Sequence, residues 1–379
     1  MKFSSLVFLF TVVSSLEPVL AALDASTGEL RSCKKLRVRK EWRYLTDAQK
    51  RAYIDAVKAS FFLRSQPVFS SADRVYQCLS DLPHSSYLKP TYATPNIPAF
   101  NPNSSKYDDF VYAHISSNIK DHFTAIFLPW HRWYLHTFEK TLQEKCNYTG
   151  TLPFWDWSKD ANRGIPNSPI FNSSETHGLG TFGTASNNYT VTDSVFANIT
   201  RAYPSPHYVQ RNFTATASPF DHQVFPFAFL YPNLLATDTF TPEKVRAVVK
   251  GTPGNYKAMA YAIDGVRAQG MHNAAHLMMT PGDMSSPLWS PNDPIFWFHH
   301  ANIDCIWARW QAHNRSENQY AFGGGLTQNL TDYDQYAVGA PPEASLSSKL
   351  PTEGLSKSIT VKEVMDTRSD CLCYKCPTK

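Results

Sequence analysis

Residues 290–307 read SPNDPIFWFHHANIDCIW, and residues 123–139 read FTAIFLPWHRWYLHTFE. Each stretch sets histidines inside an apolar, aromatic run. The apolar spacing predicts a buried helix over 295–313 and a long amphipathic helix opened by Pro129. The 13 histidines of the chain are gathered rather than scattered. One group is His114, His122, His131 and His136; the other is His272, His276, His299 and His300. In MHNAAH, His272 and His276 stand four apart, which puts both imidazoles on one face of a helix, within reach of one metal ion. A zinc peptidase would need Glu directly after the first of these, and Asn273 stands there instead. Asp304, one turn after His300, is a candidate acceptor that fixes a ring orientation. Phe296, one turn before His300, projects toward the same place. With no cysteine beside them and few carboxylates, the two groups describe an all-imidazole site. Imidazole suits copper, zinc, iron and nickel, and six imidazoles shared by two ions suit a dioxygen-binding pair better than a structural zinc.

The surrounding chain fits a mostly helical single domain with long connections. Helices are expected over 46–64 with Thr46 or Asp47 as N-cap, over 105–118, 242–250, 255–279 and 295–313. Residues 150–240, rich in Asn, Ser, Thr, Pro and Gly, read as a loop region. Gly323–Gly325 and Pro341-Pro342 mark further loops, and 355–366 a short strand or helix. The 379 residues are 42% hydrophobic and 18% charged, enough for a sizeable core and too apolar for a disordered chain. A net charge of +4 offers no basic face for nucleic acid.

Residues 1–21 have the layout of a secretory signal peptide, with Lys2, a short apolar run, and small residues at the cleavage site; no membrane span is expected. Asn-X-Ser/Thr acceptors at Asn103, Asn147, Asn172, Asn188, Asn198, Asn212, Asn314 and Asn329 agree with a glycosylated, secreted protein. The seven cysteines should then mostly pair. Cys305, in an apolar helix, is expected to be the free one, and CLCYKC (371–376) to tie the tail to the body by disulfides. The divisions expected are 1–21 as signal, 22–345 as the catalytic domain and 346–379 as a tail packed on it.

The two quoted stretches are long and specific, and with them residues 33 to 340 resemble the type-3 copper family of tyrosinases, catechol oxidases and haemocyanins, most closely the short secreted fungal enzymes. The resemblance implies a mainly α fold, with a four-helix bundle whose antiparallel helix pairs each give three histidines to one copper. It implies His114, His122 and His131 for the first copper. For the second it implies His272, His276 and His300, the neighbouring His299 standing behind. Two copper ions, dioxygen as co-substrate, and a small phenol or a tyrosine in a peptide as substrate follow from it. Asn273 and Asp264 resemble the pair with which hydroxylating members hold a water that deprotonates the phenol. The chain departs from the pattern in three ways. Lys120 stands where many members carry the cysteine of a thioether to the middle ligand, so His122 should be uncrosslinked. Cys305 replaces an arginine. Only 39 residues follow residue 340, so no large shielding domain is expected there. A haemocyanin-like dioxygen carrier would need such a domain, so an oxidase, whether tyrosinase or catechol oxidase, is expected ahead of it.

Overall fold

The computed structural model describes residues 33, 35–63, 104–216, 225–369 and 371–378. Its helices begin where the chain can satisfy their free backbone donors. Thr46 caps α1 (Asp47–Ser60), and the Gln49 side chain returns to the Thr46 N–H. Ser105 and Asp108 make the same reciprocal box at the start of α2 (Lys106–Asp121). The next helix, α3 (Phe127–Lys145), starts two residues earlier than its proline suggested. Pro129 sits within the first turn, where a missing N–H costs nothing because those donors have no intrahelical partner. Then follow α4 (Ala236–Thr239), α5 (Pro242–Val249), α6 (Tyr256–Asp264), α7 (Met271–Leu277) and α8 (Ile295–His313).

The helix expected over 255–279 is two helices. Gly265 has φ +78°, and Arg267 and Ala268 are also left-handed. A Cβ on Gly270 would lie 2.3 Å from the Ile263 carbonyl oxygen, and one on Gly265 would lie 2.4 Å from the Gly270 nitrogen. The two glycines let the chain fold back on itself between α6 and α7. In an unbroken helix Asp264 and His272 would be about 12 Å apart along the axis; here their side chains touch.

Helices α2, α3, α7 and α8 surround the histidines as a four-helix bundle. At its centre Phe138 of α3 stacks on Trp297 of α8, ring centroids 3.6 Å apart. The long region after α3 holds only 3-10 turns and isolated bridges among its described residues. Buried arginines pin it down. Arg211 grips Asp293 with two bonds of 2.7 and 2.8 Å and also donates to the carbonyls of Leu179, Gly180 and Thr181.

Three small sheets complete the fold. A parallel pair joins Arg37–Val38 to Tyr374–Lys375. Gly325–Thr327 pairs antiparallel with Ala340–Glu343, so the Gly and Pro runs expected as loops carry a short hairpin-like sheet. Lys349–Leu350 pairs with Ile359–Thr360, followed by a helical turn at Val361–Val364.

Two expectations are corrected here. Cys305 is not free; it is bonded to Cys376, while Cys33 bonds Cys373. Among the described residues the free cysteine is the half-buried Cys146. Cys305 lies on the side of α8 against which the C-terminal segment packs, so burial in an apolar helix did not mean isolation. Asp304 touches no histidine. One oxygen accepts from Arg132 Nε at 2.6 Å; the other accepts from Arg39 at 2.6 Å and from the Tyr374 hydroxyl. Burial pushes this carboxyl up, but Arg132 and Arg39 hold it below the usual carboxylate range. It ties α3, α8, the chain just after the first strand and the last strand together. The chain's predicted signal segment lies outside the described residues, and among those described no helix is long and apolar enough to cross a membrane.

Removing one partner from a buried ion cluster leaves the others uncompensated, at a cost of about 3–5 kcal/mol. Asp304→Ala should therefore lower unfolding stability in urea by about that amount. A loss below about 1 kcal/mol would show that the cluster is not a structural clamp.

Candidate metal centre

His114 lies in α2 and His131 in α3, while His122 is the extended residue at the α2 C-cap. His272 and His276 share α7; His299 and His300 share α8. The ring or ligand atoms of His114, His122 and His131 all lie within 4.8 Å of one another, and so do those of His272, His276, His299 and His300. The two groups adjoin: the His131 and His300 rings stack with centroids 4.3 Å apart and planes 9° apart.

Hydrogen bonds at the outer nitrogens fix which atoms face inward. A carbonyl or carboxylate can only accept, so each Nδ1 beside one must carry the proton. His114 Nδ1 donates to Leu288 O at 2.7 Å, His131 to Phe127 O at 2.9 Å, His276 to Met284 O at 2.7 Å. His272 Nδ1 donates to Asp264 Oδ1 at 2.9 Å. In each neutral ring the lone pair is then on Nε2, the arrangement a metal ligand needs. Nε2 of His114, His131 and His272 is buried with no hydrogen-bond partner, and Nε2 of His276 meets Nε2 of His300 at 3.0 Å. Partnerless buried acceptors are costly, and a shared metal is what would satisfy them. The neutral-nitrogen donor set fits copper.

His299 is different. Its Nδ1 accepts from the Trp157 indole N–H at 3.1 Å, so its single proton is on Nε2 and that atom has no lone pair to give. Burial, with His272 beside it, holds this ring far below the usual imidazole range, so it stays neutral. His299 therefore braces the site from behind, stacked on His272.

The Phe296 ring centroid lies 4.2 Å from that of His300 and 5.2 Å from that of His114. Phe127 plays the matching part from α3, 4.8 Å from His131 and 4.6 Å from His272. It escaped the sequence reading although it stands one turn before His131 as Phe296 does before His300. Lys120 is exposed and pairs with Glu353. His136 is outside both groups. Of the remaining histidines, none of which was expected at the site, His84 and His222 lie outside the described residues, and His177, His207 and His313 belong to neither group.

Asp264 is buried at the end of α6. Its Oδ1 accepts from His272 and, at 3.1 Å, from the Asn273 amide. It thus orients the His272 ring, the part that Asp304 was expected to take for a site histidine. Asn273 lines the opening above the histidines together with His122, Phe123, Phe225, Leu277 and Ser286; Asp264 does not.

Two adjoining imidazole clusters at the core of a helical bundle define a dinuclear copper protein of the type-3 class, with dioxygen as co-substrate. Residues 104–313, more than half of the chain, match the family model described as the common central domain of tyrosinase. The chain belongs to the tyrosinase family and is a copper oxidoreductase. It is 29% identical over 368 residues to the tyrosinase-like protein phomQ1 of Diaporthe leptostromiformis, covering 92% of this chain and 80% of that one. It is 30% identical over 304 residues to oxidase hkm6 of Aspergillus hancockii, covering 71% and 99%. A polyphenol oxidase structure from Thermothelomyces thermophila (mutant G292N) superposes with a TM-score of 0.65 at 23% identity, covering 90% of this chain and 89% of that one, a likeness of fold.

The six rings other than His122 titrate low. Burial, then the neighbouring His122, pushes His114 down to about 3. Burial likewise lowers His131, His272, His276, His299 and His300. For His122 burial also lowers the pKa, but the Asp121 carboxylate raises it overall. In the unfolded chain histidines take up a proton below about pH 6.5. The unfolded state then binds more protons than the folded one, and stability falls as pH falls. Copper-free protein should accordingly lose urea stability from about pH 6.5 to 5. A midpoint constant over that range would contradict these directions.

Proposed function

We propose that the chain is a tyrosinase-type oxidase that hydroxylates monophenols at the ortho carbon and oxidises o-diphenols to o-quinones. His114, His122 and His131 would hold the first copper; His272, His276 and His300 would hold the second. The observation that carries this reading is the set of outer hydrogen bonds that turns the Nε2 lone pairs of two histidine groups toward one space. When bound, the copper pair supplies dioxygen binding and the two-electron chemistry. The protein does the rest. Phe123 and Phe225 give the opening apolar walls suited to an aromatic ring. The Asn273 amide nitrogen is engaged by Asp264, which leaves its oxygen for the opening. There it orients a water that takes the phenol proton, and Asp264 behind it keeps the amide in place.

One observation favours a second reading, catechol oxidation without hydroxylation. Asp264 Oδ1 is already shared by His272 and Asn273, and the residue does not line the opening. The substrate is a small phenol or a tyrosine in a peptide, in pigment or secondary-metabolite synthesis. Secretion with N-glycosylation fits the disulfides and the exposed Asn147, Asn172, Asn188 and Asn198. At Asn212 the amide nitrogen already donates to Thr280 O, and Asn103 lies outside the described residues.

Two measurements check this. His276→Ala should lose one of two coppers and nearly all oxidase activity. His300→Ala should abolish activity, while His299→Ala should lower it only in part. Reversed behaviour of the last two would put the wrong ring on the metal. Asn273→Gly should cut monophenol turnover by about 10–100-fold, up to the lower bound of general-base contributions, with catechol turnover much less affected. An unchanged ratio of the two rates would select the catechol oxidase reading.

A further inference from the structure

Of the site histidines on the first group, His122 has the least rigid seat. It lies beyond the helical backbone of α2, with φ −109° and ψ 138°, and the next residue, Phe123, is left-handed at φ +54°. Lys120, where the family pattern would place a thioether cysteine, is exposed and pairs with Glu353. The His122 backbone carbonyl accepts from Gln328 at 3.0 Å. What stands beside its ring is Asp121, fully buried. Asp121 Oδ1 is 2.8 Å from His122 Nδ1. His122 Nδ1 donates to Asn118 O at 3.3 Å, and Asp121 Oδ1 is buried without a hydrogen-bond donor. The second carboxylate oxygen is fixed by the Ser117 hydroxyl at 2.5 Å, one turn back on α2. The fold therefore keeps a buried carboxylate, anchored at one oxygen and open at the other, against the outer edge of one imidazole.

We propose that Asp121 is a positioning residue for the first copper. It holds His122 in place of a covalent link and sets a negative charge against the cation that this ring would bind. A buried cation held by neutral imidazoles lacks the counter-charge that water would give it. The second centre has such a charge in Asp264, bonded to His272; Asp121 gives the first centre its equivalent. The inference rests on the ligand assignment above.

A mere packing role and a charge role separate by oxidation state, because a negative charge favours Cu(II) over Cu(I). Asp121→Asn keeps the shape and removes the charge. In the full chain loaded with both ions, affinities are measured by competition with chelators selective for each oxidation state. The Cu(II) affinity of one of the two sites should fall about 10–100-fold, as for other carboxylates behind ligating histidines, and its Cu(I) affinity several-fold less. Asp121→Glu should restore part of the ratio, and Ser117→Ala should shift it the same way by a smaller factor. If the parent binds two coppers and Asp121→Asn leaves the ratio of the two affinities unchanged, the role of Asp121 is overturned and the ligand set stands. If Asp121→Asn does not fold, an unaltered ratio in Ser117→Ala overturns it equally. A parent that binds no copper pair removes the ligand assignment and this role with it.

Discussion

Each histidine of the centre has two nitrogens, and burial makes the choice between them consequential. Leu288, Phe127 and Met284 supply carbonyls, and Asp264 a carboxylate, that take the Nδ1 protons of His114, His131, His276 and His272. Without those acceptors the rings could turn or switch tautomer, and the inner face would present N–H groups that repel a cation. With them, the lone pairs converge. Three of the four acceptors lie outside the helix that carries the ring they hold, so the whole bundle has to be assembled before the site exists.

The rest of the fold can be read as support for that geometry. Asp304 gathers Arg132 from α3, Arg39 from just after the first strand and Tyr374 from the last. It is one turn from His300, and the clamp fixes the register of α8 against α3, hence of His300 against His131. The disulfide from Cys305 to Cys376 fastens the same middle turn of α8 to the C-terminal segment. Arg211 and Asp293 hold the loop region against the start of α8. The binding chemistry is local, but its precision comes from ion pairs buried some residues away.

Much of this was legible in the chain. Helical period and caps gave α1, α2, α5 and α8 nearly to their ends, and the two aromatic runs gave the grouping of histidines. What escaped has a common cause: contacts made across a break or between distant segments. The fold-back between Gly265 and Gly270 was signalled by two glycines, yet periodicity ran through it, and with the break went the contact of Asp264 with His272. Asp304 sits at helical spacing from His300, which suggested a ring partner; its arginines come from residues 39 and 132. Trp157, the donor that disqualifies His299, lies in a region with no period to read. The pairing of Cys305 depends on where a tail lands, which spacing does not encode.

The central claim is that two copper ions sit between these two sets of three imidazoles. Anomalous diffraction at the copper absorption edge, on crystals of the copper-loaded protein, addresses it directly. The account predicts two peaks, one ringed by Nε2 of His114, His122 and His131, the other by Nε2 of His272, His276 and His300, with His299 still accepting from Trp157. A single peak, or a second ion bound by His299 in place of His300, would contradict it.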